Sequence, residues 1–338
     1  MAFDPNAAAQ PDSGIFGLPH SPEEAKVVLI PVPFEATTSY GGGTADGPAA
    51  ILEASKQVDL FDLDTGKPYE GGIAMLEVPA QVRAWNDEAK RLAAPIIAEG
   101  GAKKGDPRLG PVDALCEKMN AWVYETTKHW LGKGKLVGVV GGDHSTPYGC
   151  IQAHAERYPD LGILHLDAHA DLRDAYEGFT WSHASIMFNV VQRLPGVKRL
   201  VQVGIRDFGE AELGVIRESG GRIHTFFDAK LQRARLDGMP WREAVEAIVS
   251  ELPQRVYLSW DIDGLDPTLC PHTGTPVPGG LSFAQAQGLL EGIHRAGKQI
   301  VGFDLNEVAP GPDDEWDANV GARLLYKQIG WALLSQQA

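Results

Sequence analysis

Short apolar runs rich in β-branched residues recur along the chain, and several stop abruptly at acidic, imidazole or glycine residues. Residues 26–33 (K-V-V-L-I-P-V-P) and 135–142, with stretches near 161–167, 198–205, 221–227, 255–261 and 298–304, have the length and unbroken hydrophobicity of strands buried on both faces. From residue 112 onward these runs alternate with helical stretches, the first of which reaches about residue 130. Such alternation predicts a parallel sheet covered by helices on both sides. Two more helices are expected nearer the start, over 48–56, where Pro48 suits a first turn, and over 85–97. The remainder of 58–110 mixes acidic turns with a G-G-A-K-K-G-D-P-R-L-G linker and yields no strand. No internal repeat is present.

Composition narrows the picture. A chain of 338 residues with 43% hydrophobic content can bury a large core. One α/β domain over 26–338 is expected rather than two, because the residues that look chemical run from His144 to Glu307 and have to converge. Residues 1–25, rich in Ala, Pro, Asp and Ser without periodicity, read as an N-terminal arm that is disordered or packs on a neighbouring subunit. A formal net charge of −15 argues against nucleic acid, whose phosphates need a basic face, and suits a small cationic substrate. Cys116, Cys150 and Cys270 form neither a disulfide framework nor a C-x-x-C motif, as expected in a reducing cytoplasm. The first residues lack a basic segment with an apolar core, and no apolar run approaches the ~18 residues of a membrane span, so no membrane partner is expected. Gly41, Gly42 and Gly43 match neither nucleotide-binding glycine pattern. They read as a turn before the helix or as a loop over the mouth of a pocket.

The chemistry gathers around residues 161–171 (L-G-I-L-H-L-D-A-H-A-D). Asp167 and His169 point to one side of a strand end, and Asp171 can curl back beneath them. Two other apolar runs end alike: V-G-V-V-G-G-D-H-S places His144 after a strand, and V-Y-L-S-W-D-I-D-G-L-D-P places Asp261 and Asp263 there. If these strands are parallel neighbours, the side chains meet at their carboxyl ends, where open α/β sheets bind ligands. Singly, each Asp is an ordinary turn or cap residue. Together, four carboxylates and two imidazoles with no Lys or Arg inside any motif core repel one another unless cations sit among them. Mostly oxygen donors with one His per ion suit Mn²⁺ first, ahead of Zn²⁺, Ni²⁺, Co²⁺ or Fe²⁺. Two such ions sharing a water lower its pKa, which makes hydrolysis the natural reaction class.

G-G-D-H-S (141–145), D-A-H-A-D (167–171) and S-W-D-I-D-G-L-D-P (259–267) resemble the three signatures of the ureohydrolase family of arginase and agmatinase. The likeness continues in T-G-T-P-V-P-G-G-L (273–281) and N-E-V-A-P (306–310), and so covers the chain from about residue 26. The resemblance implies a three-layer α/β/α fold with a central, mostly parallel sheet of about eight strands. It also implies a dinuclear manganese cluster, homotrimers or hexamers, and hydrolysis of a guanidinium group to urea. By motif match, His144, Asp167, His169, Asp171, Asp261 and Asp263 divide between two ions, some aspartates bridging, and Asp171 also orients the hydroxide. Glu307 matches the acid that pairs with the substrate guanidinium, for which a carboxylate is a bidentate partner. His183, in W-S-H-A-S, matches the histidine that shuttles a proton to the departing amine. His129, His154, His165, His224, His272 and His294 have no counterpart and read as structural or surface residues, with His272 on a loop that borders the pocket.

Departures from the family pattern bear on the substrate. Between D-A-H-A-D and His183 the chain runs L-R-D-A-Y-E-G-F-T-W-S, without the polar S-G-N-x-H-G context in which arginase holds an amino-acid head group, so L-arginine is disfavoured. S-H-A-S stands where agmatinase commonly has S-H-G-T, and Val277 where a Glu is frequent, yet agmatine is the favoured substrate. Tyr176, Glu177, Phe179 and Trp181 are expected near the mouth, where they would suit guanidine or a short alkylguanidine, whose hydrolases include nickel enzymes. Guanidinobutyrate would need a cationic contact, for which Arg173 is the candidate. The full ligand set argues against a single-zinc deacetylase and against a non-catalytic subunit of a heteromeric hydrolase.

Overall fold

The computed structural model describes residues 3–337. Eight strands form one sheet: β1 (Val27–Val32), β2 (Ile73–Met75), β3 (Leu136–Gly141), β4 (Leu161–Leu166), β5 (Val197–Ile205), β6 (Ile223–Phe227), β7 (Arg255–Trp260) and β8 (Gln299–Leu305). Their order is β2-β1-β3-β8-β7-β4-β5-β6, and every pairing is parallel. Alternate residues of each strand feed opposite cores: Val27 and Leu29 of β1 face one, Val28, Ile30 and Val32 the other. Helices Gly47–Ser55, Trp241–Ser250, Phe283–Arg295 and Trp316–Ser335 cover the first face. Helices Ala80–Ala98, Leu109–Gly132, Tyr148–Arg157 and Ile186–Arg193 cover the second. Burial on both faces is why β1, β3 and β4 read as unbroken apolar runs.

The order of strands decides where chemistry can occur. β3 and β4 follow one another in the chain but are separated in the sheet by β8 and β7. The carboxyl ends of β3, β8, β7 and β4 therefore lie side by side at a switch in chain direction, the place where such sheets bind ligands. Pairing continues one step past the strands, between Asp261 and Asn306 and between His169 and Asp207, which stiffens the loops that leave them.

Two features differ from the sequence expectation. β2 is a strand of three residues at the sheet edge, too short to produce an apolar run. The arm, expected to be disordered or to lie on a neighbouring subunit, is seated on its own chain around Ile15–Gly17; residues 1 and 2 lie outside the described residues. Ile15, Phe16 and Leu18 are buried, the Phe16 amide donates to Ser55 Oγ at 2.8 Å, and its ring centroid lies 4.9 Å from that of Tyr326. Three apolar residues are too few for a periodic signal, but enough to fill the gap between two helices. Among the described residues no helix is long and apolar enough to cross a membrane.

Gly142, just after β3, permits a backbone crossing next to the future site, since a Cβ there would lie 2.1 Å from the Phe34 carbonyl oxygen. Gly142→Ala is expected to cost about 1–3 kcal/mol as overpacking against main chain. A urea unfolding midpoint equal to that of the parent would contradict this close approach.

Candidate metal centre

The four central strand ends deliver the side chains that the sequence singles out. The turn after β3 carries His144, the loop after β4 carries Asp167, His169 and Asp171, the loop after β7 carries Asp261 and Asp263, and the residues after β8 carry Glu307. All converge. Nδ1 of His144 lies 3.1 Å from Asp167 Oδ2 and 3.4 Å from both Asp171 Oδ2 and Asp261 Oδ2. Nδ1 of His169 lies 3.4 Å from Asp167 Oδ1 and 3.1 Å from Asp263 Oδ2. The group thus has two halves, each built on one imidazole, and Asp167 presents one oxygen to each. Asp171 reaches back through a left-handed backbone, φ +53°, and Glu307 does the same at φ +62°. Each such non-glycine residue costs roughly 1–3 kcal/mol and marks a site whose surroundings impose it.

The electrostatics show what this arrangement lacks. His144, Asp167, Asp171, Asp261 and Asp263 are buried, and His169 is partly exposed. Burial opposes charge on both ligand histidines, yet the carboxylates around them prevail: Asp167 above all raises His144 to about 10, and Asp263 with Asp167 raises His169 further. Burial, together with the other carboxylates, pushes Asp171 and Asp261 well above the usual range. Asp167, although buried, is held well below it by donors from His144, His165 and His169. Carboxylate oxygens with imidazole nitrogens fit divalent metal, and His144, His165, Asp167 and Asp171 in one half and Asp167, His169 and Asp263 in the other are close enough to share an ion.

The residues behind the ligands reinforce this fit. Nε2 of His144 lies 3.0 Å from Ser259 Oγ, which donates to the buried Asp304 Oδ1 at 3.1 Å. Ser259 must then accept from His144 Nε2–H, which makes Nδ1 the nitrogen turned toward the cluster, the one a metal would take. His165, expected to be structural or superficial, is fully buried with Nε2 2.9 Å from Asp167 Oδ2. Its position two residues before Asp167 on β4, hence on the same face, was the available signal.

Above the cluster is a cavity of about 160 Å³ lined by His144, His169, Asp171, Asp261, His183 and Glu307, with Ser39, Arg173, Tyr176, Asp207, Glu212 and Thr275 around them. Two larger cavities of about 380 Å³ lie elsewhere, so chemistry rather than size marks the smaller one. Glu307 is buried; its Oε1 accepts the His144 amide at 2.9 Å, and Thr273 Oγ1 donates to its carbonyl at 2.8 Å. His183 is lowered to about 4 by burial and by the positive His169 and His144. Its ring stands edge-on to Tyr176 at 6.1 Å.

Of the aromatic and acidic residues expected at the mouth, only Tyr176 lines it. Phe179 is fully buried in a core. Trp181 turns outward onto Tyr148, 4.9 Å between ring centroids, because Thr180 bonds to Asp113 and Trp181 Nε1 to Glu117 on the helix Leu109–Gly132. Glu177 does not reach the cavity. Arg173 does, with Nε 3.5 Å from Glu212 Oε2 and its guanidinium 4.7 Å over the Tyr176 ring. The glycine loop borders the mouth through Ser39, and Glu35 Oε2 takes the Gly43 and Ala45 amides at 2.8 and 3.1 Å, so a carboxylate holds the donors a phosphate would need. His272 lies outside the cavity, 2.8 Å from Asp317 Oδ2, fastening the loop that presents Thr275.

Comparison with known proteins bears directly on this geometry. The model of the Arginase family matches residues 25–330. The chain is 37% identical over 320 residues to the N(1)-aminopropylagmatine ureohydrolase of Thermus thermophilus, covering 94% of each, and 30% identical over 318 residues to the agmatinase of Bacillus anthracis, covering 91% of this chain and 93% of that one. Among solved structures, the agmatine ureohydrolase of Thermoplasma volcanium superposes with a TM-score of 0.73 at 25% identity, over 94% of this chain and 93% of its own. A parallel eight-stranded sheet whose adjacent strand ends gather a His/Asp cluster, and likeness along nearly the whole chain, place this protein in the arginase family of binuclear-metal ureohydrolases, enzymes that hydrolyse C–N bonds of guanidino compounds.

Proposed function

We propose that the chain hydrolyses the guanidinium group of a short cationic amine, agmatine or its aminopropyl-extended form, to urea and the free amine. The carboxyl of Glu307 carries the proposal. Burial and the neighbouring Asp261 and Asp143 push it well above the usual carboxyl range, so it is short of a cation, and it faces the same cavity as the cluster. A guanidinium ion supplies that charge through a planar edge of paired N–H donors. The cavity of about 160 Å³ is smaller than the roughly 300 Å³ at which drug-sized sites begin, so it suits a guanidino head on a short chain. A longer tail would leave past Asp207, which is exposed and forms no ion pair among the described residues. The relatives named for agmatine and aminopropylagmatine support the same substrate class. Guanidine itself is the second reading, favoured by the small cavity and by Arg173 and Tyr176 at its mouth.

Each residue then has a task. His144, Asp167, Asp171 and Asp261 would hold one ion, and Asp167, His169 and Asp263 the other, with Mn²⁺ the first choice for so oxygen-rich a set and Ni²⁺ its competitor. When bound, the ions supply Lewis acidity that lowers the pKa of a water between them and stabilises developing negative charge. Glu307 grips the guanidinium edge and so points its carbon at the cluster. Asp171 offers a carboxylate oxygen that orients the attacking water. His183 is neutral at pH 7, and its ring nitrogen takes a proton and returns it to the departing amine, which is a poor leaving group until protonated.

Urea release measured with Mn²⁺ and Ni²⁺ loaded separately is expected to give agmatine or N(1)-aminopropylagmatine a kcat/KM at least about tenfold above guanidine, guanidinobutyrate and arginine. A best rate with guanidine would replace this reading by the second. Glu307→Gln removes a charged hydrogen-bond partner worth about 1.5–3 kcal/mol and should lower kcat/KM by roughly 10²-fold with metal content unchanged. His183→Asn should lower kcat by about 10²-fold or more while substrate affinity holds. Exhaustive chelation should abolish turnover and added Mn²⁺ restore it; turnover by protein shown free of transition metal would be incompatible with the proposal.

A further inference from the structure

A row of polar side chains crosses the sheet directly beneath the cluster. His165 on β4 is the register partner of Gln202 on β5, and Gln202 that of Thr225 on β6, so the three stand on one face of adjacent strands. His165 and Gln202 are fully buried. Thr225 Oγ1 donates to Gln202 Oε1 at 2.9 Å, Gln202 Nε2 donates to the Ala170 carbonyl at 2.7 Å and stands 3.1 Å from His165 Nδ1, and His165 Nε2 stands 2.9 Å from Asp167 Oδ2.

The direction of every bond in the row follows from one group. A carbonyl only accepts, so Ala170 fixes which end of the Gln202 amide is nitrogen. The remaining amide hydrogen makes Nδ1 of His165 an acceptor. The ring proton is therefore on Nε2 and is donated to Asp167. On the other side, Asp167 Oδ1 accepts the His169 amide at 2.6 Å. Each oxygen of this carboxylate thus has one fixed N–H donor, and each faces a different ligand imidazole, Oδ2 toward His144 at 3.1 Å and Oδ1 toward His169 at 3.4 Å. Burying such a polar row inside a largely apolar sheet is costly unless every bond is made.

We propose that His165, its tautomer locked by Gln202 and Thr225, is a positioning residue that holds the Asp167 carboxylate across the two halves of the cluster, so that one ligand is shared by both ions. The proposal rests on Asp167 as a metal ligand and is independent of which guanidino compound is cleaved. Without the His165 donor, the carboxylate is free to rotate and give both oxygens to one half. The other half then loses a ligand, and the two ions lose their bridge.

Mn²⁺ titration of the chelator-stripped full-length protein, followed by calorimetry and electron paramagnetic resonance, tests this. The parent should take up a pair of ions with the signal of a spin-coupled pair. His165→Phe, which removes the donor at similar volume, should bind the second ion about 10- to 100-fold more weakly and show the six-line signal of isolated Mn²⁺. His165→Gln, whose amide nitrogen reaches about as far as Nε2, should restore most of the affinity and the coupled signal. If His165→Phe does not fold, Gln202→Leu keeps the imidazole and removes its lock, and should give a loss under about tenfold. Second-ion binding and coupling equal to the parent in the variant that folds, or equal impairment by Phe and Gln at 165, would overturn the proposal. So would uptake of a single ion by the parent. A parent that binds a coupled pair yet releases urea from no guanidino compound would instead overturn the proposed function and leave His165 in its role.

Discussion

Repulsion among carboxylates held in one buried space is the constraint on which the rest of the structure depends. At an effective dielectric of about 20, two like charges 4 Å apart cost about 4 kcal/mol, and several such pairs meet here. The sheet order makes the crowding unavoidable, because β8 and β7 are inserted between β3 and β4 and bring four loaded strand ends together. Burial and the neighbouring carboxylates push Asp171 and Asp261 upward, and the carboxylates around His144 and His169 raise both imidazoles. A chain that strains its backbone at Asp171 and Glu307 to build such a cluster is built to bind positive charge.

The supports beneath the ligands follow a simple opposition. The imidazole of His144 is backed by an acid, Asp304, through Ser259, and the carboxylate of Asp167 is backed by an imidazole, His165. Both supports come from the layer one residue-pair below the strand ends, where His165 and Ser259 are register partners on β4 and β7. The parallel sheet thus does two things with one geometry: its ends gather the ligands, and its last full layer holds them in orientation.

The clustered residues and most strands are legible in the sequence because each residue of the cluster follows an unbroken apolar run, and a strand buried on both faces leaves that signal. β2 left none, being three residues long. The seating of the arm leaves no such signal, because Ile15, Phe16 and Leu18 act as a single plug with no period to detect. From the sequence Phe179 and Trp181 read as residues of the mouth, although an aromatic residue near His183 suits a rim or a core equally. The choice was made by Asp113 and Glu117, acceptors on a helix more than sixty residues earlier, which draw this segment outward. His165 shared a strand face with Asp167, but its meaning depends on Gln202, 37 residues away and adjacent only once β4 and β5 pair.

The departures from the agmatinase pattern fall on the rim and leave the cluster intact. Val277, standing where a Glu is frequent, still anchors its loop, because its carbonyl accepts from Arg206 Nε at 3.2 Å and from a terminal guanidinium nitrogen at 2.7 Å. Main chain does there what any side chain at 277 would leave undisturbed. Ala184, in the S-H-A-S segment where agmatinase has glycine, lines the cavity and adds a methyl group to its wall. The wall of the cavity thus combines Glu307 and residues of the cluster with Ala184, Arg173, Tyr176 and Asp207. Under the proposed function, selection among guanidino substrates falls to these residues of the wall, and the reaction class to the strand ends.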